Sequence, residues 1–152
     1  MKQTTLCYIE NDGCYLMLHR VKKINDENHD KWIGIGGKLE YGETPFDCVR
    51  REVREEVGLT LHSLRYAGII TFVSDLFGTE YMHLFKSDSY SGDIPNECEE
   101  GVPMWVKKTD IPSLKIWEGD KIFLKLLDTE NRFFSLKLIY EGDTLVSHTL
   151  EF

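Results

Sequence analysis

Gly37-Lys38-Leu39-Glu40-Tyr41-Gly42-Glu43-Thr44-Pro45-Phe46-Asp47-Cys48-Val49-Arg50-Arg51-Glu52-Val53-Arg54-Glu55-Glu56-Val57-Gly58-Leu59 is the stretch from which the fold can be read. It predicts a helix over 44–57 with both ends marked. Thr44 suits the N-cap, Pro45 the first helical position, and Asp47 the reciprocal acid of a capping box. Gly58 is placed to end the helix in the left-handed conformation. At ~100° per residue, Glu52, Glu55 and Glu56 fall within an arc of roughly 100°, so three carboxylates share one face. Phe46, Val49, Val53 and Val57 group on the adjacent arc, ready to pack on a sheet. Like charges at i, i+3 and i+4 cost a few tenths of a kcal/mol per pair, and something must offset them. Arg50, Arg51 and Arg54 on a solvated face would do so. A hard divalent cation, which prefers oxygen ligands, is the other answer.

The residues ahead of the helix bear on that choice. Gly36-Gly37-Lys38 and Gly42-Glu43 form a glycine-bearing loop that lets backbone approach a ligand closely. Lys38 supplies a mobile positive charge, and Glu43 can pair with Arg51 to lock the loop to the helix. Outward from there, residues 4–10 and 14–20 read as strands joined around Asn11-Asp12-Gly13, a strong hairpin signal. Residues 22–31 read as a polar loop and 32–37 as a short apolar segment ending in glycines. Strand-like runs follow at 66–74, 79–87 and 102–107, then a second helix at 118–128 and a hairpin of 133–140 with 145–152. Strands and helices mixed in this order predict an α+β fold, a mixed sheet layered with helices.

At 152 residues the chain predicts one domain spanning 1–152, large enough to fold on its own core. Apolar runs fall well short of the ~18 residues of a membrane span, and the N-terminus lacks the apolar core of a signal peptide. The expectations are therefore no membrane partner and a cytoplasmic location. Cys7, Cys14, Cys48 and Cys98 are scattered, and read as small hydrophobes in a reducing compartment. His19, His29, His62, His83 and His148 show no metal-ligand spacing. The net charge of −8 argues against a nucleic-acid backbone as partner. It does not argue against a small anionic substrate, since clustered carboxylates hold cations and those cations carry phosphates.

Gly37, five residues, Glu43, seven residues, then Arg51-Glu52-Val53-Arg54-Glu55-Glu56-Val57-Gly58-Leu59 matches the Nudix box, GX5EX7REUXEEXGU, at all nine defined positions. The chain thus resembles the Nudix hydrolases. Beyond the box, Leu16–Arg20, Lys31–Glu40 and Trp117-Glu118-Gly119-Asp120 are similar to the MutT/MutX branch, whose members remove 8-oxo-dGTP from the nucleotide pool.

The resemblance implies a Nudix-type α/β/α sandwich and Mg²⁺-dependent hydrolysis of a nucleoside triphosphate to the monophosphate and pyrophosphate, with Mn²⁺ as an alternative cation. By position, Glu52, Glu55 and Glu56 resemble the metal-binding carboxylates, joined by the Gly37 carbonyl, and Glu43 with Arg51 resembles the structural pair. Lys38 is placed like a phosphate contact. Candidates for the general base are Glu55, Glu56 and Glu100. By itself Glu100 reads equally well as part of a solvated acidic loop, but related triphosphatases use an acid placed before a Trp-bearing strand near their metals. Trp117 could stack on a purine and Asp120 hydrogen-bond its edge. Ile33 stands where the mammalian-type enzyme has a base-reading Asn, so base recognition at that position must differ.

Other substrates remain open at this point: ADP-ribose, a dinucleoside polyphosphate or an RNA 5′ end. So does a non-catalytic nucleotide-binding module, although the glutamates of the box are intact. The chain is expected to act as a monomer or homodimer.

Overall fold

The computed structural model describes residues 1–152. The first hairpin pairs β1 (Lys2–Asn11) with β2 (Cys14–His19) and turns through Asp12 and Gly13 at φ 50° and 74°, the pair of left-handed residues that Asp-Gly predicts. A two-residue strand β3 (Trp32–Ile33) follows, then helix α1 (Pro45–Val57) and short β4 (Thr60–Leu61). The long strands β5 (Arg65–Ser74) and β6 (Gly78–Ser87) come next, with short β7 (Tyr90–Ser91) and then β8 (Val102–Lys107). Helix α2 (Glu118–Thr129) precedes the last hairpin, β9 (Phe134–Glu141) and β10 (Thr144–Glu151). Every long element lies within a few residues of its expected position. The two-residue strands β3, β4 and β7 are additions, too short to leave a periodic pattern.

Eight strands form one mixed sheet in the order β10-β9-β5-β6-β1-β2-β3, with β8 also on β2. β1 runs parallel to β6 and β5 parallel to β9, and the other pairs are antiparallel. Alternation along the strands builds two cores, one on each face. Leu6, Tyr8, Tyr15, Met17 and Leu84 point to one side, where Phe123, Leu124 and Leu127 of α2 cover them. Cys7, Ile9, Leu16, Leu18 and Phe85 point to the other, beneath Val49, Val53 and Val57 of α1. The result is an α/β/α sandwich. A slip of one residue in β1 would exchange the two cores, so register is strongly specified.

The three α1 valines are fully buried. Each contributes roughly 1.5–3 kcal/mol relative to exposure, which outweighs the few tenths lost to each like-charge pair on the acidic face. Burial therefore holds the helix and lets it carry its charge. Residues 35–37 run beside β1, with the Cys7 N–H donating to Ile35 O at 2.7 Å and the Thr5 N–H to Gly37 O at 2.9 Å. That pairing delivers the glycine turn to the start of α1. All four cysteines are free, Cys7 and Cys48 within the core. No helix is long and apolar enough to cross a membrane.

The α1 N-terminus carries the expected capping box, with Asp47 N–H donating to Thr44 Oγ1 at 3.1 Å and Thr44 N–H to Asp47 Oδ2 at 3.0 Å. Thr44→Ala is expected to destabilise the protein by about 1 kcal/mol. The check is a lower denaturant midpoint with an unchanged slope.

Candidate active site

The glycine turn, α1 and the 97–101 loop bring together most of the acidic residues that the sequence singles out. Arg51 is the hub. Its Nε and Nη2 grip both oxygens of Glu43 at 2.7 and 2.9 Å, and Nη2 also donates to the Lys38 carbonyl at 3.1 Å. Nη1 donates to Glu52 at 2.8 Å and to Glu55 at 3.2 Å. The expected Glu43–Arg51 pair is thus bidentate, the strongest form of such contacts. It holds the Glu43 carboxyl well below the usual range, at about 2.

The three carboxylates of the acidic face do not share one environment. Glu55 is an outlying group, its side chain 62% exposed and tied to Arg51. Burial raises the pKa of Glu52, which lies half-buried beside Gly37. A Cβ on Gly37 would fall 2.5 Å from the Glu52 carboxyl carbon, so only glycine permits this approach. Both Glu56 carboxylate oxygens are buried, and neither receives a hydrogen bond from a nitrogen or hydroxyl donor. Burial, reinforced by neighbouring Glu100, pushes Glu56 up to about 10. Burial also acts to raise Glu100, but the Glu56 proton, Arg20 and Lys23 outweigh it and hold Glu100 low. Arg20 Nη1 lies 2.9 Å and Lys23 Nζ 3.7 Å from the Glu100 carboxylate.

A cleft of about 770 Å³ opens beside this cluster on the α2 side of the sheet. Gly37, Lys38, Glu52 and Glu100 line one end, and Ile33, Phe72, Trp117 and Asp120 the other. Glu55 and Glu56 are not on its wall. At the far end Trp117 is 5% exposed, and its Nε1 donates to Asn28 Oδ1 at 2.8 Å. Phe72 and Tyr140 meet its ring edge-on, while Lys31 Nζ lies 4.3 Å over it. Asp120 is buried, and burial, opposed by Lys31, raises its carboxyl to about 8.

No three of the acidic side chains converge closely enough to hold a metal ion by themselves. They nonetheless fit a hard divalent cation. Glu56 is an orphaned buried carboxylate, Glu52 and Glu100 are close enough to influence it, and all the side-chain donors are oxygens. Mg²⁺ is commonly held this way, by one or two carboxylates with waters and substrate phosphates completing its shell. The Gly37 carbonyl is already engaged by Thr5. Gly36 has no main-chain partner, and strand alternation turns its carbonyl away from β1.

Arg20, Asn28, Lys31 and Tyr140 stand at the site without having been singled out in the sequence. Each acts through a partner distant in the chain and carries no local spacing that would reveal it.

A mixed sheet between two helices, with carboxylates gathered at one end of an aromatic-walled cleft, defines a hydrolase domain of the MutT type. A mutator MutT protein from Bacillus halodurans superposes with a TM-score of 0.87 at 26% identity, covering 99% of this chain and 98% of that one. The NUDIX domain model matches residues 2–127, and the chain belongs to the Nudix hydrolase family. Two curated relatives are oxidized purine nucleoside triphosphate hydrolases. The zebrafish (Danio rerio) protein is 37% identical, with 80% of this chain and 78% of that one aligned. The mouse (Mus musculus) protein is 33% identical, over 79% and 77% of the two chains.

Because its folded-state pKa is depressed, Glu43 stabilises the fold fully above its unfolded value near 4.5, and that contribution disappears as pH falls through about 2. Glu43→Gln is therefore expected to be less stable than wild type at pH 6, with the gap closing between pH 4.5 and 2. Parallel urea titrations across that range check it; a gap independent of pH would contradict the assignment.

Proposed function

We propose that the protein hydrolyses purine nucleoside triphosphates, oxidised forms such as 8-oxo-dGTP among them, to the monophosphate and pyrophosphate. The observation that carries this reading is one cleft lined by both kinds of group a nucleotide needs. Glu52, Glu100 and the cations Arg20, Lys23 and Lys38 line it, and so do the Trp117 indole and the buried Asp120 carboxyl group, with the ion-paired Lys2, Glu27 and Glu80 beside Phe72. A nucleoside triphosphate likewise joins a charged chain to a flat base. The names of the zebrafish and mouse relatives support the substrate class. In the cell this activity would cleanse the nucleotide pool in the cytoplasm and so spare DNA from repair.

Glu52, Glu56 and Glu100 would hold Mg²⁺, or Mn²⁺ in its place, with the free Gly36 carbonyl a better-placed backbone ligand than Gly37. Glu55, farther out, would join through water. When bound, the cation neutralises phosphate oxygens and acidifies water near the scissile phosphoanhydride. Lys38, exposed at the cleft edge, contacts a phosphate. Among Glu55, Glu56 and Glu100, the general base is assigned to Glu100. It faces the cleft, and Arg20 and Lys23 favour its ionised form. Glu56 is behind the wall and Glu55 outside it. Arg51 and Glu43 touch no substrate in this scheme; they hold Glu52 and the glycine turn in place.

At the base end Trp117 stacks on the purine. Asp120, neutral below about pH 8, both donates to and accepts from the base edge. Ile33 contributes an apolar wall, so discrimination by hydrogen bonds falls to Asp120.

Turnover of a nucleotide panel with Mg²⁺, followed by product identification, tests the proposal. Purine triphosphates should lead and yield pyrophosphate. Faster turnover of ADP-ribose, a dinucleoside polyphosphate or capped RNA would overturn it, as would binding without metal-stimulated hydrolysis. Glu52→Gln and Glu56→Gln should each lower kcat a hundredfold or more, about 3 kcal/mol in the barrier, with the fold retained. Wild-type turnover in either would remove that residue from the metal site. Trp117→Ala should raise KM for purines more than it lowers kcat, because stacking binds ground state and transition state alike. Unchanged KM across the purines would place the base elsewhere.

A further inference from the structure

The hairpin β9–β10 has no part in the roles above, and it lies beyond residue 127, outside the stretch matched by the family model. Its position in the sheet brings it to the base end of the cleft. Parallel pairing with β5 sets Leu138 beside Phe72 and Tyr140 beside Ser74. The Tyr140 ring stacks on Phe72 at 4.8 Å and meets Trp117 edge-on at 5.1 Å. Its buried hydroxyl oxygen accepts a hydrogen bond from the Gly119 N–H at 2.7 Å.

That N–H is one of the unpaired donors at the start of α2, and Trp117 at the N-cap offers no side-chain acceptor. Tyr140 therefore caps from another element the turn that carries Trp117 and Asp120. Gly119 allows the approach: a Cβ there would lie 2.5 Å from Leu138 Cδ1 and 2.8 Å from the Tyr140 hydroxyl.

The hairpin tip makes a second connection. Asp143 lies 3.6 Å from Lys31 Nζ, the ammonium that sits over the Trp117 ring. Trp117 lines the cleft and Lys31 does not, so Lys31 backs the indole. Gly142 N–H donates to Asp75 Oδ1 at 2.9 Å, which fixes the tip against the β5–β6 turn.

We propose that the 134–151 hairpin is part of the substrate site, with Tyr140 and Asp143 as positioning residues that set Trp117 and Asp120 for a purine base. The proposal rests on the base-end reading given above and extends it to residues that touch no substrate. Removing the Tyr140 hydroxyl leaves a buried N–H unpaired and frees the first turn of α2 to shift. Removing the Asp143 charge frees Lys31 from behind the indole. Both changes loosen the base end and leave the carboxylate end as it was.

The test compares wild type, Tyr140→Phe and Asp143→Asn in steady-state hydrolysis of dGTP, with inhibition by deoxyguanosine and by inorganic pyrophosphate. Tyr140→Phe should raise KM and the deoxyguanosine Ki roughly three- to tenfold, the loss expected of one buried hydrogen bond. Its kcat and pyrophosphate Ki should stay within about twofold. Asp143→Asn, altered at a side chain 80% exposed and so without risk to the fold, should move KM and the deoxyguanosine Ki the same way by a smaller factor. A Tyr140→Phe protein that melts earlier but keeps both constants would show a purely structural hairpin and overturn the proposal. So would equal weakening of both inhibitors, or an Asp143→Asn protein identical to wild type. Trp117→Ala run alongside separates the two levels: unchanged deoxyguanosine inhibition there defeats the base-end reading itself, and with it this extension.

Discussion

One guanidinium organises the acidic end of the molecule. Arg51 spans the Glu43 carboxylate, the Lys38 carbonyl, Glu52 and Glu55, so loop and helix are fixed by the same cation. Lysine could not replace it, because a single ammonium lacks the planar fork that meets two oxygens of one carboxylate while reaching a third group. The seven residues between Glu43 and Arg51 follow from this geometry. They are the span needed to leave the loop, start the helix and complete about two turns before the chain returns to face Glu43. Without that clamp the glycine turn would have no fixed relation to Glu52, and the close approach at Gly37 would be lost.

The same helix shows how a small angular difference gives neighbouring carboxylates different chemistry. With Glu52 as origin, Glu56 lies about 40° toward the valine arc and Glu55 about 60° away from it. Val49 sits at about 60° on the same side as Glu56, so Glu56 is drawn beneath the edge of the core. Desolvation then penalises its charge, whereas Glu55 keeps water and Arg51. Glu56 beside Glu100, itself held by Arg20 and Lys23, sets a buried carboxyl group with a raised pKa next to a half-buried one with a lowered pKa. Two carboxyl groups kept in opposite states are a means of handling a proton at neutral pH.

These contrasts mark where sequence reading succeeds and where it stops. The α1 caps and the Asp12-Gly13 turn depend on neighbours within a few residues, and both were legible. The box glutamates were legible as a group on one face, but not the different environments that the fold gives them. The angular offset that separates Glu55 from Glu56 was there to be used, since it needs only the helical repeat and the valine positions. Arg20 against Glu100, Lys31 behind Trp117 and Tyr140 against Gly119 were not legible. Each joins residues from 21 to 86 positions apart, through strand pairings that no local pattern specifies.

Total charge and local charge also lead to different conclusions. A chain of net charge −8 should repel a triphosphate, yet at physiological salt that repulsion is screened beyond about 8 Å. What a substrate meets at contact is the cleft, where Arg20, Lys23 and Lys38 stand among the carboxylates. Arg20 and Lys23 pair with Glu100 and Lys38 is exposed, while Glu52 also lines the cleft and Glu56 does not. Basic side chains can thus draw phosphates to the cleft, while the carboxylates among them favour a further positive charge there. Glu56, with both oxygens buried and its pKa raised, would carry a charge there only beside a positive partner. Substrate and protein lack the same thing at the same place, which is why an acidic helix suits a polyanionic substrate.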